Sequence, residues 1–201
     1  MKKDSNKVID SIKELKKDIN KNPESFFSEY DLQGRLYYHL CKEYKSEYPR
    51  IHLEYFPPEI KYDKEQYKSL QEKCLKKYGP KNTPYKIIPI EKKGKYDLVV
   101  LDNQKKKLLH VIELKKINSY CKSNYHKGYE DIYLLTDLLD NFKGSNSYFF
   151  IYAVCNSRYK VKKEGMQDYI NNVEKTYKNA DKLKPNNNIN FDYYIYDKNE
   201  K

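Results

Sequence analysis

Nine consecutive residues, Ser147-Tyr148-Phe149-Phe150-Ile151-Tyr152-Ala153-Val154-Cys155, carry no charge. A strand sends successive side chains to opposite faces, so a run that is apolar throughout has to be covered on both. The chain therefore needs a central sheet with a layer on each side. At 201 residues it is long enough for one domain with a real core and too short for two comfortable ones.

The other elements arrange themselves around that strand. Val8, Ile9, Ile12, Leu15 and Ile19 recur near helical spacing among lysines, which predicts a peripheral amphipathic helix within residues 1–22, ending before Pro23. A second helix is expected from about Pro23–Ser25 to about Tyr48, with Ser25 and Ser28 as caps and Phe26, Phe27, Tyr30, Leu32, Leu36, Tyr37, Leu40 and Tyr44 on its buried face. Ile51–Tyr55 reads as a strand halted by Pro57 and Pro58. Residues 59–94 are polar and Lys-rich, with a helix expected over about 64–77, and read as an insertion rather than a separate domain. Further helices are expected after Gly128 and over about Lys163–Leu183, and Phe191–Tyr196 reads as the last strand. The fold class is α/β, a sandwich built on a mixed sheet of five strands.

The chemistry concentrates in two shorter apolar runs. Tyr96-Asp97-Leu98-Val99-Val100-Leu101-Asp102 and Leu108-Leu109-His110-Val111-Ile112-Glu113-Leu114-Lys115 flank a Lys-rich segment and read as a β-hairpin with a lysine-studded tip. Alternation puts Glu113 and Lys115 on one face, one pleat apart, and Leu114 on the other. An antiparallel partner carrying Asp97 near its start brings a second carboxylate to the same end. Two adjacent carboxylates repel unless a cation neutralises them, and hard oxygen ligands suit Mg²⁺ or Mn²⁺. The pair therefore implies a divalent metal.

The competing reading of these residues is a salt bridge at a sheet end, with Asp97 closing a turn. Glu-x-Lys occurs five times, starting at Glu14, Glu43, Glu59, Glu91 and Glu113, so the tripeptide alone carries little. Only the last lies inside an apolar strand, where a Glu and a Lys need partners.

Charge narrows the partner. Lys and Arg total 40 against 29 Asp and Glu, a formal charge of +11 that favours a polyanion. A Lys-, Asn-, Tyr- and Ile-rich coding bias gives the same balance whatever the function. Arg is scarce, at Arg35, Arg50 and Arg158, which points to phosphate-led rather than base-led recognition. The four cysteines form no C-x-x-C pair, so neither a zinc ribbon nor a clustered iron–sulfur site is indicated. No apolar leader and no membrane-length apolar stretch is visible, and a cytoplasmic protein without a membrane partner is expected. The four histidines have no metal-ligand spacing, and His110 reads as a packed or edge residue.

An acid-bearing helix, a strand, an Asp-bearing hairpin, a helix and a strand, in that order, resemble the PD-(D/E)XK nuclease superfamily, which has the restriction-endonuclease-like fold. Asp97 matches the family's first metal-binding acid and Glu113-Leu114-Lys115 its (D/E)-x-K segment. Tyr96 stands where the family often has Pro. The resemblance covers about Glu24 to Tyr196 apart from the insertion, and it implies a single nuclease-like domain over residues 1–201. It further implies a Mg²⁺- or Mn²⁺-dependent nuclease, an endonuclease on DNA, cleaving phosphodiester bonds. Asp97, Glu113, the Leu114 carbonyl and Glu29 would hold the metal, with Asp31 the rival of Glu29. Lys115 would orient or deprotonate the attacking water, or stabilise charge at phosphorus. Lys105, Lys106, Lys107, Lys116, Lys122 and Lys127 are candidates for backbone contacts, and each could equally be a solvated surface lysine. Gln33 reads as a helix-surface residue that could line the site one turn after Glu29. Cutting both strands would make a homodimer natural. The alternative is a catalytically inactive nucleic-acid-binding or assembly protein that keeps the fold.

Overall fold

In a computed structural model of the chain, residues 2–45, 51–55, 96–102, 108–117, 146–155, 163–183 and 188–198 are described. They form α1 (Lys2–Lys21), a 3₁₀ turn (Pro23–Ser25), α2 (Glu29–Tyr44), β1 (Ile51–Tyr55), β2 (Tyr96–Leu101), β3 (Leu108–Ile117), β4 (Asn146–Cys155), α3 (Lys163–Leu183) and β5 (Asn188–Asp197). The expected helix at 64–77, the rest of the 59–94 insertion, the hairpin tip at 105–107, the segment at 118–127 and the helix after Gly128 lie outside the described residues.

The sheet is mixed and five-stranded, in the order β1-β2-β3-β4-β5. β1, β2 and β3 pair antiparallel, while β4 runs parallel to both β3 and β5. Every residue of β4 is buried, as its unbroken apolar run demands. Its even-numbered residues Tyr148, Phe150, Tyr152 and Val154 pack with Val8, Ile12, Leu15 and Ile19 of α1 and Leu32, Leu36 and Leu40 of α2. Its odd-numbered residues Phe149, Ile151, Ala153 and Cys155 pack with Met166, Tyr169, Ile170 and Val173 of α3. Each such aliphatic or aromatic side chain contributes about 1.5–3 kcal/mol on burial. The two cores, one per sheet face, make the molecule an α/β sandwich.

Local chemistry sets the helix ends. The expected second helix divides in two, because Ser28 caps α2 instead of a residue nearer Pro23, and it ends at Tyr44 rather than Tyr48. Phe27 and Tyr30, expected on its buried face, are exposed, since the core lies against Phe26, Leu32, Leu36 and Leu40. Its hydroxyl accepts from Asp31 N, and the Asp31 carboxylate accepts from Ser28 N at 2.7 Å, a reciprocal capping box. Lys45 ends α2 in the left-handed region, φ 46°, with its N–H donating to the Cys41 carbonyl. α1, expected as a peripheral helix, forms an outer layer with α2 and buries its apolar stripe. Asp18 ties the two helices together, 2.8 Å from His39 Nε2 and 3.3 Å from Arg35 Nε. Among the described residues no helix is long and apolar enough to cross a membrane.

Candidate functional site

β2 and β3 part company beyond the Leu98↔Ile112 pair, while β3 continues to Ile117 alongside β4. Backbone groups of β3 that face the departed strand must find other partners. Two carboxylates supply them. Asp97 Oδ2 accepts from Leu114 N at 2.7 Å, and Glu29 Oε2 accepts from Lys116 N at 3.1 Å. Aspartate and glutamate thus continue the ladder where β2 leaves off, on alternate residues of the same strand edge.

Asp97 reaches that position through a break in the alternation of β2. Leu98 and Val100 belong to the α1/α2 core, yet Tyr96 joins Val99 in the α3 core. Strict alternation from Leu98 would send Tyr96 the other way. The backbone turns between Tyr96 and Leu98, and the carboxylate of Asp97 comes toward α2. There Gln33, only 5% exposed, donates from Nε2 to Asp97 Oδ1 at 2.6 Å and to Glu54 Oε1 at 3.1 Å. Glu54 itself sits at φ 50°, a strained setting for a residue with a Cβ, within β1.

Glu29 comes from the first turn of α2, immediately after the cap. Besides bonding Lys116 N, it approaches Lys115, with Oε1 3.6 Å from Nζ. The Lys116 ammonium is 2.7 Å from the Phe27 carbonyl, and burial pulls its pKa below the ordinary lysine value. Lys116 is thereby fastened to the segment leading into α2. Asp31, the rival of Glu29, is occupied in the capping box.

Glu113 leaves β3 on the other face. It pairs in register with Phe149 and Lys115 pairs with Ile151, both in the α3 core, and laterally paired residues share a face. Glu113 is only 5% exposed. Its backbone adjoins Asp97, whose carboxylate bonds the very next nitrogen. Among the described residues, no three His, Cys, Asp or Glu gather at the spacing of a metal centre.

The donor set nevertheless fits a hard cation. A residue in a strand directs its N–H and C=O to the same side, so the Leu114 carbonyl opens toward the gap that Asp97 occupies. Each carboxylate oxygen of Asp97 accepts a hydrogen bond, Oδ1 from Gln33 Nε2 and Oδ2 from Leu114 N, which fixes the carboxylate at the strand edge. Mg²⁺ is commonly held by one or two carboxylates and waters rather than by a full protein cage. Asp97 and the Leu114 carbonyl supply oxygens of that kind at the strand edge, and the Glu113 carboxylate lies on the opposite face of the same strand.

No family model, curated protein or solved structure matches this chain.

The sequence grouped Asp97, Glu113, Leu114, Lys115 and Glu29; the structure sets Asp97, Leu114, Lys115 and Glu29 along the overhanging edge of β3, while the Glu113 side chain leaves on the α3 face. Lys116 joins them through Phe27. Lys105, Lys106, Lys107, Lys122 and Lys127 lie outside the described residues. Gln33, read as a surface residue that could also line the site, is buried against Asp97. Glu54 was missed. Its only signal was an acid next to the last residue of the strand that precedes the hairpin.

Proposed function

We propose that the protein is a metal-dependent nuclease of the PD-(D/E)XK type, hydrolysing phosphodiester bonds, with DNA as its substrate and Mg²⁺ or Mn²⁺ as its cofactor. The observation that carries the reading is the docking of Asp97 onto the backbone of Glu113-Leu114-Lys115, beside a lysine held by Glu29. It is supported by the mixed α/β sandwich and by a formal charge of +11.

Within this reading each group has a task. Asp97, the Leu114 carbonyl and, from the opposite face of the strand, Glu113 would hold the cation, with Glu29 at its margin. Bound metal would offset charge on the phosphoryl oxygen and lower the pKa of a bound water. Lys115, its side chain 17% exposed, presents a largely desolvated ammonium beside the scissile phosphate, where charge stabilisation is strongest. Glu29 restrains that ammonium and fixes the strand edge. Gln33 holds the Asp97 carboxylate in one orientation. Lys116 extends the positive charge along the backbone path.

A second reading is favoured by one observation: Asp97 and Glu29 already bond strand N–H groups, a purely architectural use of the same acids. On that reading the protein binds nucleic acid or assembles with it without cutting. Plasmid nicking with Mg²⁺, Mn²⁺ or EDTA separates the two. The nuclease reading expects metal-dependent nicking that disappears in Glu113→Ala and in Lys115→Ala while salt-sensitive DNA binding persists. Binding with no metal-dependent cutting in the wild type would establish the second reading.

A further inference from the structure

The outward face of α2 carries a stripe that the site does not use. Tyr30, Gly34 and Tyr38 recur at intervals of four, so they share one side of the helix. Phe27 prolongs the stripe before the cap. The three aromatic residues are 79%, 71% and 55% exposed at Phe27, Tyr30 and Tyr38. Scattered surface aromatics need no explanation, but a row along one helix does.

Gly34 is the second observation. Glycine is the least favourable helix residue after proline. A Cβ built at Gly34 would meet nothing within 4 Å. Neither space within the molecule nor a left-handed backbone accounts for it. What a missing side chain does provide is close approach to the helix backbone from outside.

We infer that α2 is a self-association surface, on which a second copy of this chain packs its own α2 antiparallel about a two-fold axis at Gly34. The pattern is self-complementary about that residue. Tyr30 and Tyr38 each stand four residues from Gly34, so the two-fold sets Tyr30 against Tyr38 of the second copy, twice. Aromatic pairs of this kind add to the area they bury. The ends also match. Glu24, Glu29 and Asp31 gather at the start of α2, where each also has a partner within the molecule, whereas Lys42 and Lys45 are exposed at its end on either side of Glu43. An antiparallel copy brings the basic end beside the acidic one and opposes the helix dipoles. A base-stacking surface would account for the rings but leaves Gly34 without a purpose, so a second copy explains more. The inference is independent of whether the protein cuts nucleic acid.

Sedimentation equilibrium on the full chain tests it. The wild type is expected to be a dimer at tens of micromolar. Tyr30→Lys and Tyr38→Glu should each raise the dissociation constant at least tenfold. The double variant Tyr30→Lys/Tyr38→Glu should restore association in a salt-sensitive form, because each lysine then faces a glutamate across the axis. Gly34→Arg should be monomeric with a Tm no lower than wild type, since arginine is the better helix former. A wild type that stays monomeric over this range overturns the proposal, as does a double variant no more associated than the single ones. A monomer whose affinity for a single-stranded oligonucleotide falls in Tyr30→Ala and Tyr38→Ala would also overturn it, assigning the stripe to nucleic acid.

Discussion

Gln33 and Asp97, 64 residues apart in sequence, meet at 2.6 Å across the seam between α2 and the sheet. The same amide nitrogen lies 3.1 Å from Glu54, so one neutral donor stands between two carboxylates. Removing it leaves two like charges facing each other and takes a hydrogen bond from each carboxylate. Gln33→Leu is expected to destabilise the fold by about 1–3 kcal/mol, read from urea unfolding. The effect should be non-additive with Asp97→Asn, because the two residues share one contact. A double-mutant cycle with no coupling would show that the contact is energetically idle.

Glu29 has two separable duties, and two substitutions divide them. Glu29→Gln keeps an oxygen able to accept from Lys116 N but removes the charge opposite Lys115. Glu29→Ala removes both. Stability should therefore change by less than about 0.5 kcal/mol in Glu29→Gln, as for most partly exposed ion pairs. Glu29→Ala should lose about 1–2 kcal/mol through the orphaned N–H. If the nuclease reading holds, metal-dependent nicking falls by an order of magnitude or more in both. Equal thermal stability of the two variants would show that the Lys116 bond carries no energy.

The capping box at Ser28 positions Glu29 and can be probed by itself. Ser28→Ala deletes the acceptor for Asp31 N, and loss of an N-cap costs about 0.5–2 kcal/mol. Ser28→Asp should recover most of it, since a carboxylate also caps. Circular dichroism melts of the three proteins give the ranking, with Ser28→Asp expected between Ser28→Ala and the wild type or above.

Much of this arrangement is legible in the sequence because period and burial speak locally. The run at 147–155 fixes a strand covered on both faces, and the apolar spacing of Val8, Ile12, Leu15 and Ile19 fixes a helix. The hairpin acids could be named because Glu113 sits where an apolar strand has no ordinary use for a carboxylate. What escaped was set by contacts between distant segments. Gln33 looks like any polar residue on a helix until α2 is laid against β2, and Glu54 acquires meaning only when β1 pairs with β2 and its backbone turns left-handed. The exchange of backbone partners at Leu114 and Lys116 was equally hidden, since it depends on where β2 diverges from β3. No periodicity encodes that divergence. The break in alternation at Tyr96 and Asp97 is its sole trace, and it requires coordinates to see.

Tyr148 offers a test of the α1/α2 core at alkaline pH. Burial raises its hydroxyl from 10.0 to about 12, and the ring is only 1% exposed. Tyr152 is shifted in the same direction by burial and by the neighbouring Tyr196 and Tyr194. In the unfolded chain such a group ionises near its ordinary value, so between these two pH values the unfolded state has released a proton that the folded state retains. The unfolded state then binds fewer protons, and stability falls as pH rises. The contribution is complete below pH 10 and is lost as the pH climbs through 12, on the order of 2–3 kcal/mol for a shift of this size. Tyr148→Phe removes the titrating hydroxyl and keeps the ring in place beside His110, whose ring centroid lies 5.7 Å away. The variant should be somewhat less stable than the wild type at pH 8, having lost the hydroxyl's hydrogen bond with Ser5 and its weak contact with His110 Nδ1 at 3.5 Å. It should then lose stability less steeply between pH 10 and 12. Urea unfolding at pH 8, 10 and 11.5 measures both slopes. Parallel slopes for the two proteins would mean that Tyr148 ionises in the folded state as readily as in the unfolded one, and that this part of the core admits water.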